Sequence, residues 1–326
     1  MELVWARWAT SSLLGAVRTI QPEQLWFIPH DWSILPLYGC LTETSTGNQA
    51  PPLHATIQDF PDVHRHQQLW GSRRVARLKV MQEAIYRRAD SRDATSLPML
   101  EELRARTGSR GDQMLHAGLE KEDFAYLQAA SRSRPMARPV RIAYAGTILV
   151  EEEFHLMVES LRRLRRRLSG RLSLDIWSSH TYRTRSWFDP AWMTEHAHAS
   201  EQELRLALRE CDWGFCPMAL GDKEPRYNRF SFPTKFITYL AAGLPILALG
   251  HPESSVQQLM KDFTPGISLK SPEDLKKDDW SGELVQVSAK ERYRQEILRC
   301  ATELFDADEM RTRLWKSLTG QGSLKN

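Results

Sequence analysis

The sequence predicts an α/β protein in which parallel sheets are covered by helices on both faces. In the second half of the chain, short apolar segments alternate with amphipathic helical segments, and a weaker form of the same alternation runs through the first half. Strands that alternate with helices pair in parallel through crossover connections. The length of 326 residues corresponds to two domains at roughly 150 residues each.

The polar segment at residues 131–139 is the predicted linker. It contains three arginines and two prolines and has no apolar period, which is typical of a connection between domains. We therefore expect an N-terminal domain at residues 1–130 and a C-terminal domain, which ends in helices, at residues 140–326.

The second half shows the stronger patterns. A helix at 150–168 has apolar side chains at helical spacing, three glutamates in its first turn and three arginines in its last, which suits the helix dipole. Gly243 and Pro245 end a helix at 232–242. The other predicted elements are strands at 140–144, 172–177, 213–217 and 246–249 and helices at 201–211, 254–262 and, for the most part, 289–318.

The first half gives the same alternation with less regular periods. We predict helices at 11–20, 33–41 and 97–106, strands at 25–28, 53–57 and 114–116, and one helix or two over 63–88. Ser96 is placed to cap the helix at 97–106.

Composition excludes several classes of protein. The net charge of +3 is too small for a strongly cationic nucleic-acid binder. The four cysteines form no C-x-x-C pair, and the histidines have no ligand spacing, so neither a disulfide framework nor a metal site is expected. Asp306 and Asp308 are interpreted as a helix cap. The longest apolar run, residues 239–249, is short of the ~20 residues that span a membrane. We predict a cytoplasmic protein.

The most informative segment is residues 226–246, which combines a loop, the start of a helix and a strand. Ser231 is the predicted N-cap, and Pro233 fits the first turn. Free N–H groups at a helix start attract anions, and Lys235 can add a charge that reaches a phosphate. Arg226 and Arg229 can add further donors. The alternative is a solvated helix start with ordinary surface cations.

Residues 233–245 read Pro-Thr-Lys-Phe-Ile-Thr-Tyr-Leu-Ala-Ala-Gly-Leu-Pro. This string resembles the nucleotide-sugar motif of GT-B glycosyltransferases of family 4. Residues 89–103, 115–119, 142–147, 172–177 and 204–217 resemble further segments of that family in the same order, so that the resemblance covers roughly residues 50–265. It implies two Rossmann-like domains that face a cleft, with an N-terminal domain that is shortened.

The resemblance also implies an activity: transfer of a hexosyl group from a nucleoside-diphosphate sugar to a glycan, a lipid-linked or another acceptor. The reaction is expected to retain the anomeric configuration and to need no metal and no cofactor. Diphosphate contacts are implied for Gly146, Thr147, Ser231, Thr234 and Lys235, a ribose or sugar contact for Thr238 and a base contact near His198. Asp59, His30 and Asp31 are implied to face the acceptor as catalytic residues, and the alternative for His30 and Asp31 is a capping pair.

Three departures from the family pattern keep other functions open. Thr238 stands where the family has a glutamate, Glu151–Glu153 follow the glycine turn where the family often has cations, and the first strand–turn–helix unit is missing. We expect those glutamates to face away from the diphosphate and Arg226 and Arg229 to replace the cations. One alternative is a degenerate GT-B protein that binds a nucleotide or a partner without catalysis. Another is a different GT-B enzyme, such as a sugar-nucleotide epimerase.

Five arginines lie at residues 162–167. Such a run can hold a protein on anionic lipid, so peripheral contact with the inner face of a membrane is one prediction. A solvated helix face is the alternative.

Overall fold

The computed structural model describes residues 2–44, 51–61, 70–129, 139–221, 225–277 and 279–319. The chain forms two compact units. Unit 1 comprises Met1–His116, Lys223–Phe232 and Asp308–Asn326, and unit 2 comprises Ala117–Asp222 and Pro233–Ala307. The predicted linker lies outside the described residues apart from Pro139, so the predicted boundary stays a prediction.

Unit 1 is built on a four-stranded parallel sheet in the order β1-β2-β3-β4. Its strands are β1 (Leu25–Phe27), β2 (Leu53–Ile57), β3 (Ser91–Ala94) and β4 (Gln113–Met114). Its helices are α1 (Glu2–Ile20), α2 (Ile34–Thr44), α3 (Ser72–Arg88), α4 (Leu97–Thr107), α8 (Pro225–Phe230) and nearly all of α13 (Ala307–Leu318).

Helices α1, α2 and α3 share one apolar core with β1 and β2. Helix α1 packs on α2, and α2 packs on α3. Leu14, Phe27, Ile34 and Leu78 are buried together in this core. The three helices therefore pack in series, with α2 between α1 and α3.

Unit 2 contains a six-stranded parallel sheet in the order β10-β9-β8-β5-β6-β7. Its strands are β5 (Val140–Ala145), β6 (Leu172–Trp177), β7 (Met193–His196), β8 (Trp213–Pro217), β9 (Ile246–Leu249) and β10 (Gly266–Leu269). Its helices are α5 (Lys121–Ala129), α6 (Glu151–Arg167), α7 (Glu201–Leu208), α9 (Thr234–Ala241), α10 (Ser255–Phe263), α11 (Asp279–Val285) and α12 (Val287–Leu304). Strand β5 pairs with β6 on one side and with β8 on the other, so the strand order reverses at β5.

The predicted elements of the second half are confirmed to within a few residues. Helix α6 buries its apolar stripe, which includes Phe154, Met157 and Leu161, as its period requires. The sequence did not predict β7, β10, α5, α8 or α11. Strand β7 is a short edge strand with mostly polar residues, which leaves no apolar signal. Of the described residues, no helix is both long and apolar enough to span a membrane.

Several boundaries in the first half differ from the prediction. The first helix begins at Glu2 rather than at residue 11. The predicted helix at 33–41 is preceded by a 3-10 turn over Asp31–Ser33 and then runs through Ile34–Thr44. The predicted strand at 114–116 is only Gln113–Met114. Residues 63–69 of the predicted 63–88 helix lie outside the described residues, and α3 begins at Ser72.

Candidate functional site

The turn that follows β5 is the first part of the candidate site. Gly146 has a φ of +109°, a conformation that glycine adopts without the steric cost of a side chain. The turn lies at the carboxyl end of β5, where the strand order reverses, and ligands of open α/β sheets bind at such points. A Cβ atom at position 146 would lie 3.8 Å from Cε of Lys235. The lysine therefore passes directly beside the turn.

Hydrogen bonds fix two of the three amides in this turn. The Gly146 N–H donates to the Trp177 carbonyl at 2.8 Å, and the Ile148 N–H donates to the hydroxyl oxygen of Tyr182 at 3.0 Å. The Thr147 N–H between them has no acceptor among the described residues. An open amide in a glycine turn is a donor suited to an anion.

Lys235 supplies a cation beside that amide. Its Nζ lies 5.0 Å from the ring centroid of Tyr144, and the Tyr144 hydroxyl donates to the Thr147 carbonyl at 2.7 Å. Burial lowers the pKa of Lys235 and raises that of the nearby Cys216 thiol to about 12, so the thiol is no counter-ion at neutral pH. Within the described part of the chain, no carboxylate pairs with Lys235. A partly desolvated ammonium without a counter-ion favours an anionic ligand.

Tyr239 sets the position of α9, which carries Lys235. Its hydroxyl accepts the Ala145 N–H at 2.9 Å and donates to the Phe215 carbonyl at 3.0 Å. A Cβ atom at Gly214 would lie 2.4 Å from the Tyr239 ring, so only glycine leaves room for the ring. One buried side chain thus joins α9 to β5 and β8.

The start of α9 differs from the prediction. Ser231 was predicted as its N-cap, but this is wrong: Pro233 takes that position, and no side chain caps the helix. The Ser231 hydroxyl donates to Asp59 Oδ1 at 2.8 Å instead. Thr234, the first helical residue, is exposed, and the Thr238 hydroxyl donates to the Thr234 carbonyl at 3.2 Å. The first amides of α9 are therefore left without a side-chain acceptor of their own helix.

The other predicted donor-side residues lie on different elements. His198 is exposed just after β7, and Arg229 is exposed on α8 of unit 1. The side chain of Arg226 lies outside the described residues. Glu153 is buried, and its carboxylate accepts the Leu220 N–H at 2.8 Å. The roles predicted for these residues stay predictions.

Unit 1 brings three predicted acceptor residues together with Ser231. His30 Nε2 lies 3.6 Å from Asp59 Oδ2, and His30 Nδ1 lies 3.5 Å from Asp31 Oδ2. His30 follows β1 and Asp59 follows β2, and these strands are parallel neighbours. About a third or more of each of the three side chains is exposed, at 41% for His30, 35% for Asp31 and 34% for Asp59. The cluster can reach a bound molecule.

Two carboxylates favour the protonated form of His30. Contact with Asp59 raises the pKa of the imidazole most, burial opposes this in part, and the charge of Asp31 raises it further. Asp31 has a φ of +48°, in the left-handed region where aspartate is among the better tolerated residues. The cluster can hold and exchange a proton near neutral pH.

Gln82 is a residue of this cluster that sequence reasoning missed. Its amide nitrogen donates to the carbonyls of Pro29 and Asp59, both at 2.9 Å, and so joins the two loops that carry the cluster. Gln82 lies in the buried stripe of α3 with Leu78 and Ile85. The sequence does place this polar residue within an apolar stripe, and a buried polar side chain needs hydrogen-bond partners.

Beneath this edge, unit 1 buries a second polar cluster. His54 Nδ1 lies 2.7 Å from Ser91 Oγ, and His54 Nε2 lies 3.0 Å from Asp93 Oδ2. The side chains of His54 and Asp93 are fully buried. The Trp26 indole N–H donates to the hydroxyl of Thr56, which also binds Asp93. Full burial gives this cluster a structural role.

Unit 2 has a further polar cluster on the face of β5, β6 and β7. Asp175 accepts two hydrogen bonds from Arg141, at 3.1 and 3.0 Å, and lies 2.7 Å from His196 Nε2. The His196 ring stacks on Trp177 with centroids 4.3 Å apart and an interplanar angle of 8°. None of these side chains lies in a motif that the sequence marks as functional. In the part of the chain that the structure describes, no group of three or more acidic, histidine or cysteine side chains could hold a metal ion.

Comparison with known proteins finds similarity in structure alone. No family model and no curated protein sequence matches the chain. The α,α-trehalose 6-phosphate synthase of Burkholderia multivorans superposes with a TM-score of 0.66 at 11% identity, over 99% of this chain and 77% of that one. Anabaena HepE in complex with UDP and glucose superposes with a TM-score of 0.65 at 9% identity, over 95% of this chain and 81% of that one. A Listeria monocytogenes protein assigned as a UDP-N-acetylglucosamine 2-epimerase superposes with a TM-score of 0.54 at 9% identity, over 100% of this chain and 81% of that one.

The class that the fold defines is therefore GT-B. The resemblance found in the sequence is confirmed at this level, because the chain has two Rossmann-like units with parallel sheets and matches GT-B proteins over nearly its whole length. At these identities the similarity establishes the fold and no particular reaction.

Proposed function

We propose that this protein is a glycosyltransferase that moves a sugar from a nucleoside-diphosphate sugar to a glycan, a lipid-linked or another acceptor. One observation carries the proposal: Lys235, which lacks a counter-ion among the described residues, passes beside the Gly146 turn and the open Thr147 amide. A cation and an open N–H at the carboxyl end of β5 suit a diphosphate.

The chemistry follows from charge. When the bond between the anomeric carbon and the diphosphate oxygen breaks, the leaving diphosphate gains negative charge. Lys235 and the Thr147 N–H stabilise that charge, and groups held in place before the reaction do so without reorganisation. The tyrosines Tyr144, Tyr182 and Tyr239 hold the turn and the helix. The proposed reaction needs no metal and retains the anomeric configuration.

The cluster of His30, Asp31 and Asp59 is proposed to bind the acceptor. A hydroxyl acceptor must be oriented and must lose a proton during transfer. Asp59 is a hydrogen-bond acceptor already aligned by Ser231 and His30. The Asp59 carboxylate can accept the proton that the acceptor hydroxyl loses, and contact with this carboxylate raises the pKa of His30 beside it.

A second candidate is a protein that binds the nucleotide or a partner without catalysis. The observation that favours it is Thr238, whose hydroxyl is bonded to its own helix at the position where the family pattern has a glutamate. The HepE complex with UDP and glucose supports donor binding by this fold, and the Listeria neighbour supports an epimerase as a third reading.

Calorimetric titration with UDP, GDP and ADP tests donor binding. One nucleotide should bind, and Lys235→Ala should abolish binding because the cation is lost. Lys261→Ala, which removes an exposed lysine on α10, should leave the affinity unchanged. If no nucleotide binds, or if both variants behave alike, the donor site is refuted.

Analysis of the products separates the three activities. The substrate for this assay is the sugar nucleotide that contains the base found to bind. A transferase releases the nucleoside diphosphate only when an acceptor is present, and Asp59→Asn should slow this release. An epimerase converts the sugar nucleotide without release. Binding with neither product supports the second candidate.

A further inference from the structure

The exposed side chains of α1 and α3 in unit 1 have an unusual composition. Near the start of α1, Val4 is 73% exposed, Trp5 43% and Trp8 67%. At 100° per residue these three side chains fall within one quarter to one third of the helix circumference. The same side of α1 continues with the small residues Ser11, Ser12 and Gly15, which are also exposed. An exposed apolar group of this kind is uncommon on a soluble surface.

Positive charge is concentrated on the exposed sides of α1 and α3. Seven arginines of α1 and α3 are exposed: Arg7, Arg18, Arg73, Arg74, Arg77, Arg87 and Arg88. Among the described side chains of α1, α2 and α3, Glu43 is the one exposed carboxylate. The whole chain carries a net charge of only +3, so the charge of this surface is a local feature. On α3, the arginines and Val80 share the outward side.

We infer that the exposed side chains of α1 and α3 dock unit 1 on a lipid bilayer that contains anionic headgroups. Tryptophan prefers the interface between headgroups and acyl chains, and a helix with an apolar side and flanking arginines lies in that interface. Arginines near the surface add electrostatic attraction to anionic lipid. The combination of apolar anchors with charge matches this partner, and the inference does not depend on transferase activity.

The run of arginines on α6 is a weaker candidate for the same role. Arg162 pairs with Glu159 on its own helix. The Arg163 guanidinium donates to Ser160 Oγ at 2.7 Å, and Arg167 donates to Ser281 Oγ at 2.6 Å. No tryptophan lies within α6. Removing two arginines from this run is therefore a control that changes the charge by the same amount at a site without apolar anchors.

Vesicle sedimentation tests the inference on the whole chain. The probes are vesicles of phosphatidylcholine alone and of phosphatidylcholine with phosphatidylglycerol, and binding is expected only to the second kind and to weaken with salt. Trp5→Ala with Trp8→Ala, and separately Arg73→Gln with Arg77→Gln, should each lower the partition coefficient by roughly tenfold. Arg163→Gln with Arg166→Gln should leave it unchanged.

Three outcomes would overturn the inference. They are equal binding to both kinds of vesicle, loss of binding in the α6 pair instead, and tighter binding to a short DNA duplex that the α3 pair abolishes. All positions changed are exposed, and thermal unfolding of each variant checks that the fold is intact. Normal nucleotide binding with lost vesicle binding separates this inference from the proposed function.

Discussion

Tyr182 accepts the amide hydrogen of Ile148 at 3.0 Å, although the two residues belong to different loops of unit 2. The loop that carries Tyr182 is itself fixed, because Glu195 on β7 accepts the N–H groups of Tyr182 and Arg183 at 2.7 and 2.9 Å. The edge strand thus determines the shape of the turn beside Lys235.

Tyr182→Phe should weaken nucleotide binding by about tenfold, because a buried amide loses its acceptor at a cost of about 1 kcal/mol or more. Calorimetric titration measures this effect. Tyr293→Phe, which removes another hydrogen-bonded hydroxyl of unit 2, is the control and should leave the affinity unchanged. Equal affinities for Tyr182→Phe and the unchanged protein would show that the turn does not need this bond.

Lys235→Met should abolish nucleotide binding while it leaves the free protein as stable or makes it more stable. The reason is that burial lowers the pKa of Lys235, so the unfolded state binds more protons and the stability of the unchanged protein rises with pH toward ~10.4. The stability advantage of the methionine variant should therefore shrink as pH rises. Urea denaturation at several pH values measures it, and a constant or growing advantage would contradict the argument.

His30→Asn should cost stability in acid and little in alkali. The pKa of His30 is raised in the folded state by Asp59, so its contribution is complete below the unfolded value of ~6.5 and is lost as pH rises through the folded value. Because His30 is 41% exposed, the effect should stay below about 1 kcal/mol. Denaturation curves on both sides of neutrality test this, and a cost that is the same at every pH would exclude it.

Asp93→Ala should destabilise the protein by about 3–5 kcal/mol, because it leaves His54 buried without its carboxylate partner. The double variant His54→Leu with Asp93→Leu should recover part of that loss, since neither the imidazole nor the carboxylate is then left buried without the other. Thermal and urea unfolding measure both variants. A loss no larger in Asp93→Ala than in the double variant would show that the pair is not coupled.

Much of the fold could be predicted because apolar residues recur within each segment at the spacing of a strand or of a helix. Helix α6 is an example, since its buried residues recur at helical spacing. Strand β7 has no such signal: its residues Met193–His196 are mostly polar, and their pairing with β6 is a tertiary contact. Local periods carry no information about such contacts.

The candidate site divides in the same way. Gly146 and Lys235 stand in motifs that can be recognised one segment at a time, and the structure places them beside each other. Ser231 misled the prediction because a hydroxyl just before a helix favours a cap, whereas its partner is Asp59, 172 positions away. Tyr182 has no local pattern at all, and its contact depends on the register of β5 with β6.

Unit 1 consists of three separate segments of the chain, and the second segment, Lys223–Phe232, is only ten residues long. Phe230 of this segment packs edge-on against Phe60 with ring centroids 5.0 Å apart, and its carbonyl accepts a hydrogen bond from the hydroxyl of Ser96. Separate expression of residues 1–130 would therefore yield an incomplete domain with an open core. Each unit therefore depends on segments that are distant in the sequence. Complementation between an N-terminal and a C-terminal fragment would succeed only if residues 223–232 of the C-terminal fragment pack into the N-terminal one.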